Sequence, residues 1–510
     1  MLDKEALYRA ICLFPYEDVP RLAYADLIEE EGDSERAAFI REQVEAARLA
    51  DSNYGVKTEE CLALEARAAA RYQKSYYTPA FWVPHLIKRR YPGKLEDTFR
   101  RGFAYRRATS CREYIQHHTQ YHEEAPLQAL EISGSLDATG EPFEKVRDLL
   151  NTEHPGIDTL ALDGMFCRDT QTLRRLQAIA GMEHLRTLDL EGAFIGTGPD
   201  GAQKVQTIAG MTQLRSLDLA GNTLVNNNDG QEEANIQAIS QMTHLYTLGL
   251  ANNYLGAGRR GLAHIEAIAR LKHLRTLDLS DNDLFANGQG HGLAKCRAIA
   301  SMPHLHTLDL SRNLPGHTPP ELEMENDNAI TRLNAITGMK SLRRLALRTN
   351  YIGAGTNTLA QVKSIARMQW LEVLDLSGNS VGCDIFGDGP QQVKALTGMK
   401  NLRSLNLRSN SIGVGDRQDE KIFLLAHANM PLLHTLDVQK NAIEIEDFLR
   451  ELEKAYQETI RTNGKKGSMI SLTTLNDEPL PENLVALRDE AKAAYEAYRR
   501  RNGAEVGTGR

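Results

Sequence analysis

Cysteine is scarce in this sequence: six in 510 residues, at positions 12, 61, 111, 167, 296 and 383, with no C-x-x-C pair. That excludes a zinc ribbon and speaks against a disulfide framework, so a reduced, cytoplasmic setting is the expectation. No apolar run approaches the ~18–20 residues that cross a bilayer. The start, Met1-Leu2-Asp3-Lys4-Glu5, lacks the apolar stretch of a secretory signal. No membrane partner is therefore expected. Charge of one sign is also lacking. Sixty Lys plus Arg stand against 68 Asp plus Glu, a net −8 that demands neither nucleic acid nor a lipid surface. Hydrophobic residues at 41% and charged residues at 25% exclude global disorder and a collagen-like chain.

What is present is a repeat. From Leu127 onward the pattern L-x-x-L-x-L-x-x-N-x-[LIV] recurs in phase. Clear copies start at Leu185, Leu214, Leu245, Leu274, Leu305, Leu342, Leu371, Leu402 and Leu433, and weaker ones at Leu127 and Ile157. Two leucines two residues apart point to one face of a strand. Each strand is too short to bury anything alone, whereas stacked strands share one continuous core. Before most strands comes [ILVC]-x-x-[IL]-x-x-[ML]-x-x-L, as in Val205, Ile208, Met211 and Val362, Ile365, Met368. Spacing of three predicts a short helix with one apolar stripe. The run resembles the leucine-rich repeat family over about eleven units, 126–445. The resemblance implies an α/β solenoid, a horseshoe with a parallel sheet inside and helices outside.

Three ladders run through the units. Met182, Met211, Met242, Met302, Met339, Met368, Met399 and Met430 fill one position, which suits core gap-filling. Asn222, Asn253, Asn282, Asn313, Asn350, Asn379, Asn410 and Asn441 fill another. An amide there can satisfy backbone groups that a turning loop leaves orphaned. In L-x-x-L-x-L the third and fifth residues face away from the core. The third is mostly Thr or Ser, with Arg344 and Val373 as exceptions. The fifth is Asp189, Asp218, Asp278, Asp309, Asp375 and Asp437, interrupted by Gly249, Ala346 and Asn406. Family consensus accounts for part of this acidic stripe. The rest offers a candidate binding face for a basic or mixed-charge protein segment lying across Asp218 to Asp375, with Arg344 breaking the stripe.

The ends depart from the repeat. Residues 1–78 predict helices at roughly 3–14, 19–31, 34–50 and 57–76. Pro20-Arg-Leu-Ala-Tyr-Ala-Asp26 and Arg36-Ala-Ala-Phe-Ile-Arg-Glu-Gln43 resemble the bacterial repeat-companion domain, a helical module found beside repeat arrays. The resemblance implies architecture and no particular chemistry. Residues 79–125 read as a bridge and 446–510 as a polar cap. Within the bridge, 88–112 is basic, with Arg89, Arg90, Arg100, Arg101, Arg106 and Arg107 interleaved with aromatics. Such a segment can hold phosphates and stack bases, but no recognised nucleic-acid fold motif accompanies it. His118 and His122 lie one helical turn apart and could share a metal, yet no third ligand at an acid or Cys is convincing, so a surface helix and no metal are expected.

No nucleophile elbow, paired-acid site or Cys–His arrangement stands out, so neither catalysis nor a cofactor is expected. Gly256-Ala-Gly258 and Gly413-Val-Gly415 lack the phosphate-loop spacing and read as turn glycines. The sequence therefore points to a non-catalytic scaffold binding a protein on the concave face or on the strand-to-helix loop rim. Nucleic-acid binding through 88–112 is the alternative from another class. Regulation of a GTPase, known for some leucine-rich arrays of this length, is a third.

Overall fold

The computed structural model describes residues 4–52, 61, 64–65, 67–68, 99–101, 103–104, 106–132, 141–162, 171–225, 231–285, 291–313, 328–354, 357–384, 387–465, 469–476 and 478–501. Of the fourth expected helix, 57–76, only residues 61, 64–65 and 67–68 are among them, all helical. Arg89, Arg90 and residues 314–327 lie outside them. The chain forms two compact units, Met1–Thr223 and Leu224–Arg510.

The first unit opens with three helices, α1 (Lys4–Leu13), α2 (Val19–Glu30) and α3 (Ser34–Ser52). Pro20 sits in the first turn of α2, where its missing N–H costs nothing. Gly32, with φ 98°, ends that helix. The Asp33 carboxylate then accepts the Arg36 amide at 3.2 Å and starts the next. The Pro-Arg-Leu-x-Tyr-Ala-Asp stretch now has physical content. Arg21 is fully buried and donates to the Glu17 carbonyl at 2.7 Å and the Pro15 carbonyl at 2.8 Å, satisfying acceptors of the α1–α2 turn. Tyr24 packs edge-on against Phe103, ring centres 5.7 Å apart. Asp26 pairs with Arg41 on α3 at 2.6 Å. Phe39 and Ile40 are fully buried in the same core.

A short antiparallel pair follows, β1 (Phe99–Arg100) with β2 (Phe103–Ala104). The parallel sheet of this unit runs in chain order: β3 (Arg106–Thr109), β4 (Ala129–Ile132), β5 (Thr159–Leu162), β6 (Thr187–Asp189) and β7 (Ser216–Asp218). Between them lie α4 (Cys111–Glu124), α5 (Glu141–Thr152), α6 (Thr172–Ala180) and α7 (Gly201–Ala209). The sheet thus begins one strand before the first consensus copy, inside the segment expected as a bridge. The helical module is bonded to this start. Tyr8 donates to the Glu124 carbonyl at 2.6 Å, Tyr16 to the Gly156 carbonyl at 3.1 Å, and Gln128 to the Pro15 carbonyl at 2.7 Å.

The second unit repeats strand, loop and helix. Its strands are β8 (Thr247–Gly249), β9 (Thr276–Asp278), β10 (Thr307–Asp309), β11 (Arg344–Ala346), β12 (Val373–Asp375), β13 (Ser404–Asn406), β14 (Thr435–Asp437) and β15 (Thr474–Leu475). Neighbours pair in parallel and in register, Leu277 beside Leu308 beside Leu345. A last strand, β16 (Glu478–Pro479), turns back antiparallel and closes the edge. Ile445–Arg461 and Glu482–Arg501 are helices, as the polar cap requires. From β6 to β14 the middle leucine of each strand is buried and its two neighbours are half-buried, and the eight ladder methionines are buried. These are leucine-rich repeat units with helical outer elements, as the periodicity predicts.

Eight buried asparagines hold the turn after each strand. Asn282 Oδ1 accepts the amides of Asn253 at 3.0 Å and Leu255 at 3.2 Å in the preceding unit. Its Nδ2 donates to the Leu250 carbonyl at 2.8 Å and the Ser280 carbonyl at 3.0 Å. Asn313, Asn350, Asn379, Asn410 and Asn441 repeat the geometry. The residue before each ladder asparagine is left-handed: Gly221, Asn252, Asp281, Arg312, Thr349, Gly378, Ser409 and Lys440 all have φ between 51° and 67°. For the non-glycine members this backbone is costly, and the four amide bonds offset it. Two glycines pack where no side chain fits: a Cβ on Gly413 would lie 2.1 Å from the Ala442 carbonyl oxygen, and one on Gly256 2.3 Å from the Leu284 Cα.

Asn282→Ala orphans the buried Asn253 and Leu255 amides, while the Leu250 and Ser280 carbonyls keep a second donor each, and is expected to cost about 1–3 kcal/mol by urea melting. Asp281→Asn, exposed and tolerant of a left-handed backbone, is the matched control and should stay within about 0.5 kcal/mol. Equal melting shifts would refute the ladder's role. Phe39→Ala should cost about 3–5 kcal/mol in the cooperative transition of the first unit.

Candidate functional site

The sheet face opposite the helices is built from the third and fifth positions of each strand. In the second unit it presents Thr276 and Asp278, Thr307 and Asp309, Arg344 and Ala346, Val373 and Asp375, Ser404 and Asn406, Thr435 and Asp437. The small third-position side chains make a low bed. The aspartates prove to have a structural duty as well. One carboxylate oxygen of each accepts the amide two residues on: Ser280 for Asp278, Ser311 for Asp309, Ser377 for Asp375 and Gln439 for Asp437, all at 2.8 Å. In the first unit Asp189 and Asp218 do the same with Glu191 at 3.0 Å and Ala220 at 2.8 Å. Asn406 holds the Arg408 amide at 2.9 Å in the same way, so an amide serves as well as a carboxylate.

The second oxygen sets the electrostatics. Arg348 reaches Asp309 Oδ2 at 3.1 Å and Asp375 Oδ2 at 3.8 Å, and Arg408 lies 3.7 Å from Asp437 Oδ2. Asp375 Oδ2 also accepts the Asn406 amide at 3.2 Å. The stripe is therefore a mixed-charge face, with two arginines from the turns partly neutralising it. Burial, helped by the nearby Asp309 charge, pushes the Asp278 carboxyl above the usual carboxylate range, against the Ser280 amide that holds it down. Arg344 is half-buried on its strand, between Thr307 and Val373.

A rim adjoins this face. After five of the ladder asparagines the next residue is left-handed too, and in two of these, both in the second unit, it is tyrosine. Tyr254 and Tyr351, at φ 58° and 57°, are 47% and 48% exposed. The equivalent places hold Asp283 and Ala442. Left-handed backbone is a place for Gly, Asn or Asp, so bulky exposed rings there are not a requirement of the turn. The sequence reading missed them, although their fixed position beside the Asn ladder was visible.

A second polar ladder was also missed. The residue before the first apolar helix position is buried and bonded to the loop it follows. Lys204 donates to the Thr197 carbonyl at 2.9 Å, Asn235 to Leu224 at 2.9 Å, and His264 Nδ1 to Leu255 at 3.1 Å. Lys295 donates to the Gly256 and Leu284 carbonyls, both at 2.8 Å, and Lys421 to Val414 at 2.6 Å. Gln361 and Gln392 instead accept the Gly353 and Gly382 amides at 3.1 and 3.0 Å. Burial pushes the Lys421 amine below the usual lysine range.

The basic segment is differently placed from a free patch. Arg101 is buried, donates to the Tyr16 carbonyl at 2.9 Å and pairs with Asp18. Arg106 pairs with Glu131 on the neighbouring strand at 2.9 Å. Arg107 lies 3.2 Å over the Tyr121 ring. Arg100 stands on β1, and its side chain is outside the described residues. His118 and His122 do not converge on each other. The nitrogen facing His118 comes instead from His154, in the next unit's turn, with Glu153 beside it. A third ligand type is thus present, 36 residues away from His118 and out of reach of any spacing rule. Burial and the neighbouring imidazoles push His122 down to about 3 and His154 down to about 4, so both rings are neutral at pH 7.

The model of the family described as Leucine Rich repeat matches residues 270–288 and 398–415, segments that contain β9 with Asn282 and β13 with Asn410. No curated protein matches the chain. Among solved structures, the mouse RP105/MD-1 complex aligns at 16% identity and TM-score 0.29, covering 62% of this chain and 50% of that one. The Toll–Spatzle complex, described as a molecular hub in Drosophila development and innate immunity, aligns at 14% identity and TM-score 0.28, covering 66% and 54%. The chain spans about half the length of these solved chains.

The turn bonds yield a direct test. Asp309→Asn should keep the turn bond, as Asn406 does, and lose only the pair with exposed Arg348, at most about 0.5 kcal/mol. Asp309→Ala should lose about 0.5–1.5 kcal/mol, the worth of one such bond. Thermal melts of the two variants side by side would overturn the assignment if they coincide.

Proposed function

We propose that the chain is a non-catalytic protein-interaction scaffold whose partner lies on the second unit's open sheet face and against its rim. The observation that carries this reading is the pair Tyr254 and Tyr351: exposed rings held in left-handed backbone beside a face of small and charged side chains. Tyrosine is a typical anchor of protein interfaces, because it adds large area at little entropic cost. Asp278, Asp309, Arg344, Asp375 and Asp437 would then set register and orientation, with Arg348 and Arg408 available to a carboxylate of the partner. Asp189 and Asp218 offer the first unit the same chemistry. A mixed-charge protein segment fits this face better than nucleic acid fits the basic segment, where Arg101, Arg106 and Arg107 are already engaged. A reducing cytoplasm and kinship of the helical module with the bacterial repeat-companion domain belong to the same proposal. Its motif residues Arg21 and Asp26 would serve to hold the module together, and Tyr24 to seat it on Phe103, and not to bind a ligand.

Affinity capture with the intact chain, followed by quantitative mass spectrometry, tests the site. Tyr254→Ala with Tyr351→Ala should reduce capture of a specific protein by about tenfold or more, ~1.4 kcal/mol or more of binding. Asp278→Asn with Asp309→Asn keeps the turn bonds and should weaken the same capture mainly at low salt. Unchanged capture by both folded double variants would place the site elsewhere.

A further inference from the structure

We propose that His118, Glu153 and His154 bind a divalent ion of the later first transition row, with zinc the ordinary occupant. Among the described residues these three bring one donor atom each within 4.8 Å of the others. His118 Nδ1 stands 2.9 Å from His154 Nε2 and 3.7 Å from Glu153 Oε2. Two nitrogens on one tetrahedral zinc, each bonded at ~2.0–2.1 Å, stand roughly 3.3 Å apart. The imidazoles therefore need to part by only a few tenths of an ångström, and the contact they make with each other is the arrangement a metal would enter.

The donors are held from both sides. His118 sits in the middle of α4, whose first turn is closed by a capping box of Ser110 and Glu113. Glu153 and His154 lie in the turn after α5, and both their amides bond to the Leu149 carbonyl, at 2.9 and 3.1 Å. The His154 ring stacks face to face on His122, centres 3.6 Å apart. His122 is in turn tied to the buried Tyr114 hydroxyl at 3.0 Å. Such supporting contacts fix the plane of a ligating ring. Two imidazoles and one carboxylate favour zinc and its row neighbours over magnesium or calcium, which take oxygen donors. Glu153 is exposed, so the ion would be reached from solvent and would keep a water as its remaining ligand.

The location suggests what the ion does. The end of α4 and the 153–156 turn are two of the places that receive the helical module, through Tyr8 on the Glu124 carbonyl and Tyr16 on the Gly156 carbonyl. A metal joining His118 to Glu153 and His154 clips these two receivers together, and so strengthens the docking of α1 and α2. The claim is independent of the partner-binding reading and does not share its test.

The experiment uses the full chain without a histidine tag, stripped with chelator and titrated with zinc chloride by calorimetry. The expected result is uptake of one equivalent, a raised melting temperature and slower proteolysis within residues 1–52. Cobalt should enter with visible absorption of a nitrogen–oxygen site. Glu153→Gln and His154→Gln should each lower zinc affinity by at least the ~10–100-fold that losing a mere supporting group costs, and should abolish the thermal shift. His117→Asn, exposed on the same helix, should leave both unchanged. Absence of uptake overturns the proposal, as does wild-type affinity in Glu153→Gln. If His154→Gln fails to fold, the exposed Glu153→Gln variant decides the matter alone.

Discussion

The array depends on one buried amide per unit. A strand of three residues contributes too little hydrogen bonding to hold its own ends, and the chain must leave the sheet by a left-handed step that most residues resist. The ladder asparagine closes this deficit by taking two amides of the previous unit and giving two protons to carbonyls. It also binds each unit to its predecessor, so the turn geometry propagates along the chain. Strand register, the alternation of buried leucine with half-buried neighbours, and the constant placement of the rim follow from that bond. Leucine burial supplies most of the driving force, but it is non-directional and would tolerate a slipped or frayed turn.

The same constraint explains what was legible beforehand. Strands, helices, the methionine column and the asparagine ladder are periodic, so eleven weak signals in phase became one strong one. Strand β3 escaped because Arg106–Thr109 carries none of the consensus leucines, whereas a last strand is legible over 468–475, where β15 lies. End units face solvent or a cap on one side, and the selection for repeat chemistry is relaxed there. The aspartates were found for the right position and with an incomplete purpose: a sequence shows that Asp recurs but not that one of its oxygens is bound to the amide two residues on.

The histidines show the opposite limit. His118 and His122 share a helix and drew attention by spacing, while the productive neighbour was contributed by the following turn. Contacts between successive units join residues about thirty apart, at a distance set by loop length, and no local pattern encodes them. Three arginines of the basic segment are engaged through contacts of the same kind. Asp18, Glu131 and Tyr121, which engage Arg101, Arg106 and Arg107, lie far from them in the chain. A run of like charge in sequence is not a surface of like charge when each member has a private counterpart.

The second polar ladder has a consequence for how such a chain can change. Lysine, histidine, asparagine and glutamine all occupy the same buried place at the head of the helices, some donating to a carbonyl and some accepting an amide. Each re-anchors the chain after its excursion from the sheet, whatever that excursion contains. In the units that carry this anchor, loop length is thereby uncoupled from the layers on either side. An array built this way is permissive to grafting: new recognition sequence can be inserted at any unit's excursion while the amide before it and the anchor after it are kept.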